Sequence, residues 1–198
     1  DPDPLRYYLT INGPETRDTD FTWAEFLRRN NDELVATWGN LAHRVLSMTH
    51  RYFGGAVPEP GELEARDREI LARAEGAFPK VGELLGQCKF KAAVQEVLEL
   101  AQEGNRYLEE CAPWHTARSD LVRTATTLFT ALRLVDSLKV LFCPFTPHAS
   151  QALHTMLGYS GTISGEMRFE EVEEGGEKHR VYRWYPGDWE GRWAPSTL

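Results

Sequence analysis

Two polar side chains four residues apart, Asn40 and Arg44, are the first candidates for chemistry in this sequence. Residues at this spacing share one face of a helix, and Ser47 and Arg51 extend the same line. An asparagine amide pairs a donor with an acceptor, and an arginine guanidinium offers a rigid fork of donors, so both can pair with the edge of a base. The alternative is an ordinary solvated face with Arg44 in an ion pair, and the spacing alone favours it.

The second candidate is Pro113-Trp114, which follows a stretch predicted to be helical. This tryptophan is either a plug in the core or an exposed platform, and the sequence alone slightly favours the plug because Trp is usually well buried. Unpaired RNA loops, however, are commonly bound by aromatic side chains that stack on splayed bases while polar groups bond to the base edges. A stacking Trp with an Asn and an Arg is therefore sufficient to recognise an unpaired triplet.

The sequence patterns typical of catalytic, phosphate-binding and metal sites are not matched in this sequence. Gly54-Gly55 is followed by Pro58 and Pro60 rather than by a helix start, so it is not a phosphate-binding loop. The six histidines lack metal-ligand spacing, and the three cysteines form no CxxC pair. His148 and Ser150 are near neighbours, but nothing indicates a third group to orient a base. We therefore expect no catalytic residue, metal or cofactor site in these residues.

Composition and charge narrow the class of protein. The chain has 198 residues, of which 41% are hydrophobic, enough for a sizeable core. We find no run of about 20 apolar residues that could cross a membrane. The net charge of −8 argues against broad, charge-driven binding to nucleic acid, so we expect a local RNA contact and no DNA partner. The few cysteines and the missing secretion signal indicate the cytoplasm, and the missing initiating Met indicates a fragment.

A long helix is predicted to carry Asn40 and Arg44. Apolar residues recur at steps of three and four between residues 34 and 52, which is typical of a buried helix face. Thr22 or Asp20 can cap its start, and Gly54-Gly55 ends it. About 31 residues rising about 1.5 Å each would give a rod about 45 Å long.

Further helices and a hairpin complete the predicted fold. Helices are predicted over residues 62–87, where Pro79 should kink or break the helix, over 89–110, from Ser119 or Asp120 to Pro144, and from Pro147 to about 158. The alternating runs 167–172 and 179–184 flank Gly175-Gly176, as in a β-hairpin. We predict a mostly α antiparallel helix bundle over 21–158, with a lead-in over 1–20 and a C-terminal hairpin and extended tail over 159–198.

A series of short motifs runs along this chain in a fixed order. They are Pro4-Leu5-Arg6-Tyr7-Tyr8-Leu9, Asp20-Phe21-Thr22-Trp23, Gly39-Asn40-Leu41 with Arg44, Asn105-Arg106-Tyr107-Leu108, Ala112-Pro113-Trp114, and residues 141–147. Together they resemble the motifs of the methionyl-transfer-RNA synthetase family. The match keeps a consistent order over about residues 1 to 160, which is more specific than any single motif. The resemblance implies the anticodon-binding helix bundle of a class I synthetase.

The resemblance also implies roles for particular residues. Asn40, Arg44 and Trp114 would contact the CAU anticodon of tRNA(Met), with Trp114 stacking on a base. The residues that would support or extend this site are Asn105, Tyr107 and Pro113. The catalytic signatures and the zinc-bearing insertion of the family do not occur here, so ATP, any zinc and the ligation of methionine to tRNA(Met) belong to a catalytic part outside these residues. The expected partners are the anticodon loop and that catalytic part, and this chain alone should be inactive.

Two alternatives stay open at this point. The equivalent domain of another class I synthetase, for cysteine, leucine, isoleucine or valine, would share the fold, although the pair Asn40–Arg44 together with Pro113-Trp114 is expected only in the methionine enzyme. A helical protein–protein adaptor would suit the acidic charge and predicts a contiguous exposed apolar patch without RNA affinity. A further hypothesis from the resemblance makes the tail tryptophans Trp184, Trp189 and Trp193 docking residues for the catalytic part.

Overall fold

The computed structural model describes residues 1–15 and 18–185. The mostly α fold with a two-stranded hairpin is confirmed. The elements are α1 (Asp3–Ile11), α2 (Trp23–Arg29), a π-helical segment (Asn30–Gly39), α3 (Asn40–Phe53), α4 (Ala65–Gly86), α5 (Phe90–Cys111), α6 (Pro113–Thr116), α7 (Leu121–Phe142), α8 (Pro147–Met156), β1 (Glu166–Glu174) and β2 (Glu177–Tyr185).

The long helix begins and ends where the capping residues predict. The hydroxyl of Thr22 accepts a hydrogen bond from the backbone N–H of Glu25 at 3.3 Å, which satisfies one of the free donors of the first turn. Gly54 ends the helix with a φ of 64°, a left-handed conformation that glycine adopts without steric cost. Both predicted ends are therefore confirmed.

The interior of this helix differs from the regular α rod that the spacing predicts, because Asn30–Gly39 is π-helical. The hydroxyl of Thr37 donates to the carbonyl oxygen of Asp32 at 2.8 Å, and the backbone N–H of Asn40 is shared between the carbonyl oxygens of Val35 and Thr37. The bond from the Asn40 N–H to Val35 spans five residues, the i→i−5 spacing of a π-helix, and it widens the turn just before α3. Since π-helical turns are uncommon and frequently lie at functional sites, the position of this segment directly before Asn40 is relevant to function.

The prediction that Pro79 breaks its helix is wrong, because α4 runs without interruption from Ala65 to Gly86. Proline in a helix interior removes one backbone hydrogen bond and costs about 3 kcal/mol. Here the Pro79 ring is exposed, while Ala77 and Val81 on either side of it are buried against the rest of the bundle. Glu75, four residues before Pro79, cannot accept the usual helical hydrogen bond from it and lies on the same exposed side of α4.

The first helix packs into the same core as the bundle. Tyr7 and Ile11 of α1 are 0% and 2% exposed and belong to the main cluster of buried apolar residues. The Tyr7 hydroxyl donates to a carboxylate oxygen of Glu33 at 2.6 Å, which ties α1 to the π segment. The middle of the cluster is formed by α5 and α7, with fully buried leucines such as Leu100 and Leu134. Helix α1, which lies in the predicted lead-in, thus packs as part of the helical body.

A buried polar network joins α4, α5 and α7. Asp67 is fully buried and accepts hydrogen bonds from the Tyr107 hydroxyl at 2.6 Å and from Nη1 and Nη2 of Arg123 at 2.6 and 2.9 Å. Its Oδ2 also accepts from the backbone N–H of Glu64 at 2.8 Å, at the start of α4. The carboxylate is therefore paired and hydrogen-bonded, which is the condition under which a buried charge is tolerated.

The predicted hairpin is confirmed, with β1 and β2 paired antiparallel around the turn at Gly175-Gly176. In the register, Met167 lies across from Trp184 and Phe169 across from Tyr182. The hypothesis about the tail tryptophans is not addressed, because Trp189, Trp193 and the side chain of Trp184 lie outside the described residues. Within the described part of the chain, no helix is both long and apolar enough to cross a membrane.

Candidate nucleic-acid interface

The two polar pairs that line the candidate site come from α3 and α5, which lie side by side here. Nδ2 of Asn40 lies 3.4 Å from Oδ1 of Asn105, and Nη2 of Arg44 lies 2.7 Å from a carboxylate oxygen of Glu109. Both contacts join residues 65 apart in sequence, so the two helices run in the same direction at this point. Asn40 is exposed and Arg44 is partly exposed, so both are accessible to a ligand.

Trp114 reaches the same surface from the short helix α6. Ala112 adopts a left-handed conformation with a φ of 41°, which is uncommon for a residue with a side chain and turns the chain sharply after α5. Pro113 is buried at the first position of α6, where its missing N–H costs nothing. The guanidinium carbon of Arg44 lies over the Trp114 ring, 5.1 Å from its centroid, a cation–π contact.

The position of Trp114 favours the platform over the plug. Its side chain is partly exposed and is not part of the main buried cluster, unlike Trp38, which is 6% exposed. The His115 ring lies 6.0 Å away by centroid and is exposed, so Trp114 has an imidazole and a guanidinium as neighbours. The ion pair of Arg44 that the solvated-face alternative expects is also present, so the free chain holds Arg44 between Glu109 and Trp114.

Two residues that the resemblance places at the site are not on its surface. Tyr107 is fully buried, and its hydroxyl is bonded to Asp67. Tyr107 is two residues from Asn105, so it points to the opposite side of α5. A side chain without exposed atoms cannot touch a ligand, so of the two expected roles, to support or to extend the site, only support is compatible with the burial of Tyr107. Pro113 is buried as well. It is the first residue of α6, directly after the turn at Ala112, and so it helps to position Trp114.

Glu109 is a member of the site that the sequence reasoning missed. Its side chain is 62% exposed and its carboxylate pairs with Arg44, so an incoming RNA has to displace it or accept it as a neighbour. The available signal was the repeated spacing of four, since Asn105 and Glu109 on α5 have the same separation as Asn40 and Arg44 on α3. Spacing within one helix does not say which other helix faces it, and so the pairing needed the structure.

One group of potential metal ligands occurs among the described residues, formed by Asp1, Asp3 and His148. Asp3 is 2% exposed, and both of its carboxylate oxygens are engaged, one with Nδ1 of His148 at 2.8 Å and the other with the backbone N–H of Ala149 at 2.7 Å. Asp3 thus acts as a cap for the start of α8 and ties it to α1. The geometry is that of a structural clasp.

Comparison with known protein families gives two matches along the chain. Residues 57–172 match the model described as the anticodon binding domain of methionyl tRNA ligase. Residues 1–46 match the model described as tRNA synthetases class I (M). The first match covers most of α4 to β1, and the second covers α1, α2 and the π segment with the start of α3. The candidate site therefore draws on both matched regions, with Asn40 and Arg44 from the second and Trp114 from the first.

Individual relatives agree with these matches. The chain is 54% identical over 199 residues to the methionine–tRNA ligase of Chloroflexus aggregans, and this match covers 100% of this chain and 33% of the relative. It is 57% identical over 171 residues to the methionine–tRNA ligase of Roseiflexus castenholzii, and this match covers 86% of this chain and 29% of the relative. A solved structure of Mycobacterium tuberculosis methionyl-tRNA synthetase with methionyl-adenylate superposes with a TM-score of 0.77 at 28% identity, covering 80% of this chain and 32% of that one. The chain thus spans about a third of the length of these relatives, and it belongs to the family of methionyl-tRNA ligase anticodon-binding domains.

Proposed function

We propose that this chain binds the anticodon loop of tRNA(Met) and recognises its CAU triplet through Trp114, Arg44 and Asn40. The observation that carries the proposal is their contiguity on one accessible surface, with Arg44 in contact with the Trp114 ring and Asn40 one helical turn away on α3. Stacking of a base on an aromatic ring is worth about 1–3 kcal/mol. By analogy with base readout in DNA, a bidentate Arg or Asn contact gives discrimination of similar size.

The electrostatics of the chain suit a local contact rather than a broad one. The net charge is −8, and the cation at the centre of the site, Arg44, is already paired with Glu109. We therefore expect few contacts between this chain and RNA phosphates. The affinity should depend only weakly on salt concentration, since the slope of that dependence scales with the number of phosphates neutralised. Discrimination between triplets would therefore come from stacking and from base-edge hydrogen bonds.

Trp114→Ala tests this proposal. We expect the affinity for a fluorescent anticodon stem-loop carrying CAU to fall by about 1–3 kcal/mol, because the variant loses the stacking surface. The melting temperature should change little, because Trp114 is partly exposed and lies outside the main buried cluster. Fluorescence titration and thermal unfolding of the same preparations give both values.

Trp23→Ala is the matched control. Trp23 is 70% exposed and packs edge-to-face on Phe21 and Phe26 at the other end of the helix from α3, so its loss should leave RNA affinity unchanged. The platform role of Trp114 would be contradicted by a large loss of stability with unchanged affinity of the folded fraction. Truncation of a buried Trp costs about 3–5 kcal/mol, so the two outcomes are easily separated.

For the full-length protein, we propose ATP-dependent ligation of methionine to tRNA(Met), with ATP and any structural zinc held by the part outside this chain. The support is the family membership and the third of the relatives' length that this chain spans. The three free cysteines of the described residues support a cytoplasmic location. Charging of tRNA(Met) by the full-length protein in the presence of ATP tests the activity, and no charging would contradict it.

Of the two alternatives, the domain of another class I synthetase is set aside by the match to the methionine enzymes. The adaptor alternative predicts an exposed apolar patch, and the described residues do contain one. Phe21, Trp23 and Leu27 are 45%, 70% and 53% exposed around the start of α2. All three lie within residues 1–46, the region matched by the class I synthetase model. We propose that this aromatic patch faces the remainder of the full-length protein.

A further inference from the structure

We propose that Asn105 is a positioning residue that fixes the direction of the Asn40 amide, and that it does so by closing the π segment against α5. The proposal rests on the anticodon-binding function proposed above and adds a role for a side chain that need not touch RNA. Asn105 is partly exposed and lies on α5, beside the junction of the π segment with α3.

The direction of the Asn105 amide follows from its neighbours. Its Nδ2 lies 2.9 Å from the carbonyl oxygen of Thr37 and 3.2 Å from that of Ala101. Both neighbours are carbonyl oxygens, which can only accept, so only the NH₂ end of the amide can face them. With the nitrogen engaged on both bonds, Oδ1 of Asn105 points the other way, where it lies 3.4 Å from Nδ2 of Asn40.

The direction of Asn40 follows in turn. Oδ1 of Asn105 can only accept, so Asn40 has to present its NH₂ end on that side. Oδ1 of Asn40 is then the group left for a ligand, and it favours a base edge that offers an N–H donor. If Asn40 were free to rotate its amide by half a turn, it would serve donors and acceptors alike and would discriminate less between bases.

The π segment gives Asn105 its access to this position. Thr37, whose carbonyl oxygen accepts from Asn105, lies within the π segment, and the backbone N–H of Asn40 is shared between Thr37 and Val35. The Asn105 side chain therefore bonds to the backbone at the junction where α3 begins. Because Asn40 is the first residue of α3, this junction sets the direction in which the Asn40 side chain leaves the helix.

Three variants of this chain, Asn40→Ala, Asn105→Ala and the double substitution, test the inference by titration with a CAU stem-loop and a scrambled one. We expect Asn105→Ala to reduce the preference for CAU by about tenfold, the size of one base-edge discrimination, while affinity for the scrambled stem-loop changes little. In the Asn40→Ala background, Asn105→Ala should have no further effect on the preference, because it acts through Asn40. Gln102→Ala is the matched control, an exposed amide on the same helix.

The outcomes separate the inference from the function on which it rests. If Asn40→Ala loses the preference and Asn105→Ala retains it, the inference is overturned and the proposed function stands. An equal loss of affinity for both stem-loops in Asn105→Ala also overturns the inference, because it indicates a structural role only. If Asn40→Ala keeps the full preference for CAU, Asn40 does not recognise the triplet. That result contradicts both this part of the proposed function and the inference.

A measurement on the unaltered chain covers the case in which Asn105→Ala does not fold. The side-chain amide hydrogens of Asn105 should exchange with solvent more slowly than those of Gln102, since both Asn105 hydrogens are donated to carbonyl oxygens. Equal exchange rates for the two amides would overturn the proposed orientation of Asn105.

Discussion

Replacing Asp67 by asparagine should lower the free energy of unfolding by about 3–5 kcal/mol, because it removes the buried counter-charge of Arg123 and leaves that cation only the exposed carboxylate of Glu64, 3.6 Å away. Asp67 is fully buried and pairs with Arg123, whose side chain is 15% exposed. The carboxylate also accepts from the Tyr107 hydroxyl and from the backbone N–H of Glu64. An asparagine keeps the size but offers a single acceptor oxygen, so the amide has to face at least one of these donors with its own N–H.

The cost of this substitution should depend on pH. Burial alone would raise the pKa of Asp67, but hydrogen bonds from Arg123 and Tyr107 outweigh it, and the pKa lies below its ordinary value. A carboxyl group whose pKa is lower in the folded state contributes stability above its unfolded pKa of about 3.9, and this contribution is lost as pH falls through the folded pKa. The difference between the native chain and Asp67→Asn should therefore be full at pH 7 and shrink at pH 3.

Urea unfolding at pH 7 and pH 3 measures both effects. The matched control is Asp120→Asn, at the start of α7, where the carboxylate of Asp120 accepts from the backbone N–H of Arg123 at 2.9 Å. Asparagine caps helices about as well as aspartate, so the control should change stability by less than about 0.5 kcal/mol. A cost for Asp67→Asn that is no larger than that of the control would mean that the buried network does not stabilise this fold.

The second large effect is expected for Trp38→Ala, at about 3–5 kcal/mol of stability. Trp38 is 6% exposed and stacks on Phe142, with ring centroids 4.9 Å apart and an interplanar angle of 19°. It lies in the π segment two residues before Asn40, and its ring joins that segment to α7. Truncation leaves a cavity at this junction. The loss of stability therefore combines the free energy gained by burying the indole with the cost of the empty space.

Thermal unfolding of Trp38→Ala beside Trp23→Ala checks this expectation. Trp23 is 70% exposed, so its truncation should cost far less than that of a buried tryptophan. We also expect Trp38→Ala to weaken CAU recognition in the folded fraction, since the π segment sets the start of α3. Equal costs for the two tryptophans would contradict the position of Trp38 in the core.

The parts of the fold that follow from local rules could be predicted from the sequence. Thr22 and Gly54 bound the long helix because capping depends on one residue and its nearest backbone neighbours. Asp120 begins α7 for the same reason. The hairpin follows from the alternation of apolar and polar residues and from the turn at Gly175-Gly176. Both glycines have left-handed backbone angles. These features need no knowledge of what lies far away in the chain.

The features that depend on distant partners could not be predicted. The π segment is hydrogen-bonded to Asn105, which lies 68 residues after Thr37. The spacing of apolar residues within 23–53 carries no information about that contact. Pro79 stays within a helix because tertiary packing outweighs a local penalty. Tyr107 belongs to a conspicuous motif, but its place in the core and the Asp67 carboxylate that its hydroxyl bonds to, 40 residues away, depend on the packing of distant helices. Glu109 likewise becomes part of the site only because α5 lies beside α3.

The most direct test of the proposed function is a fluorescence titration of the unaltered chain with two anticodon stem-loops that differ only in the triplet, CAU against a scrambled order. We expect tighter binding of CAU by about tenfold or more, since even one base-edge contact gives about 1–3 kcal/mol of discrimination. The full-length protein is titrated in parallel. Equal affinity for the two stem-loops in both proteins would contradict recognition of the triplet by this domain.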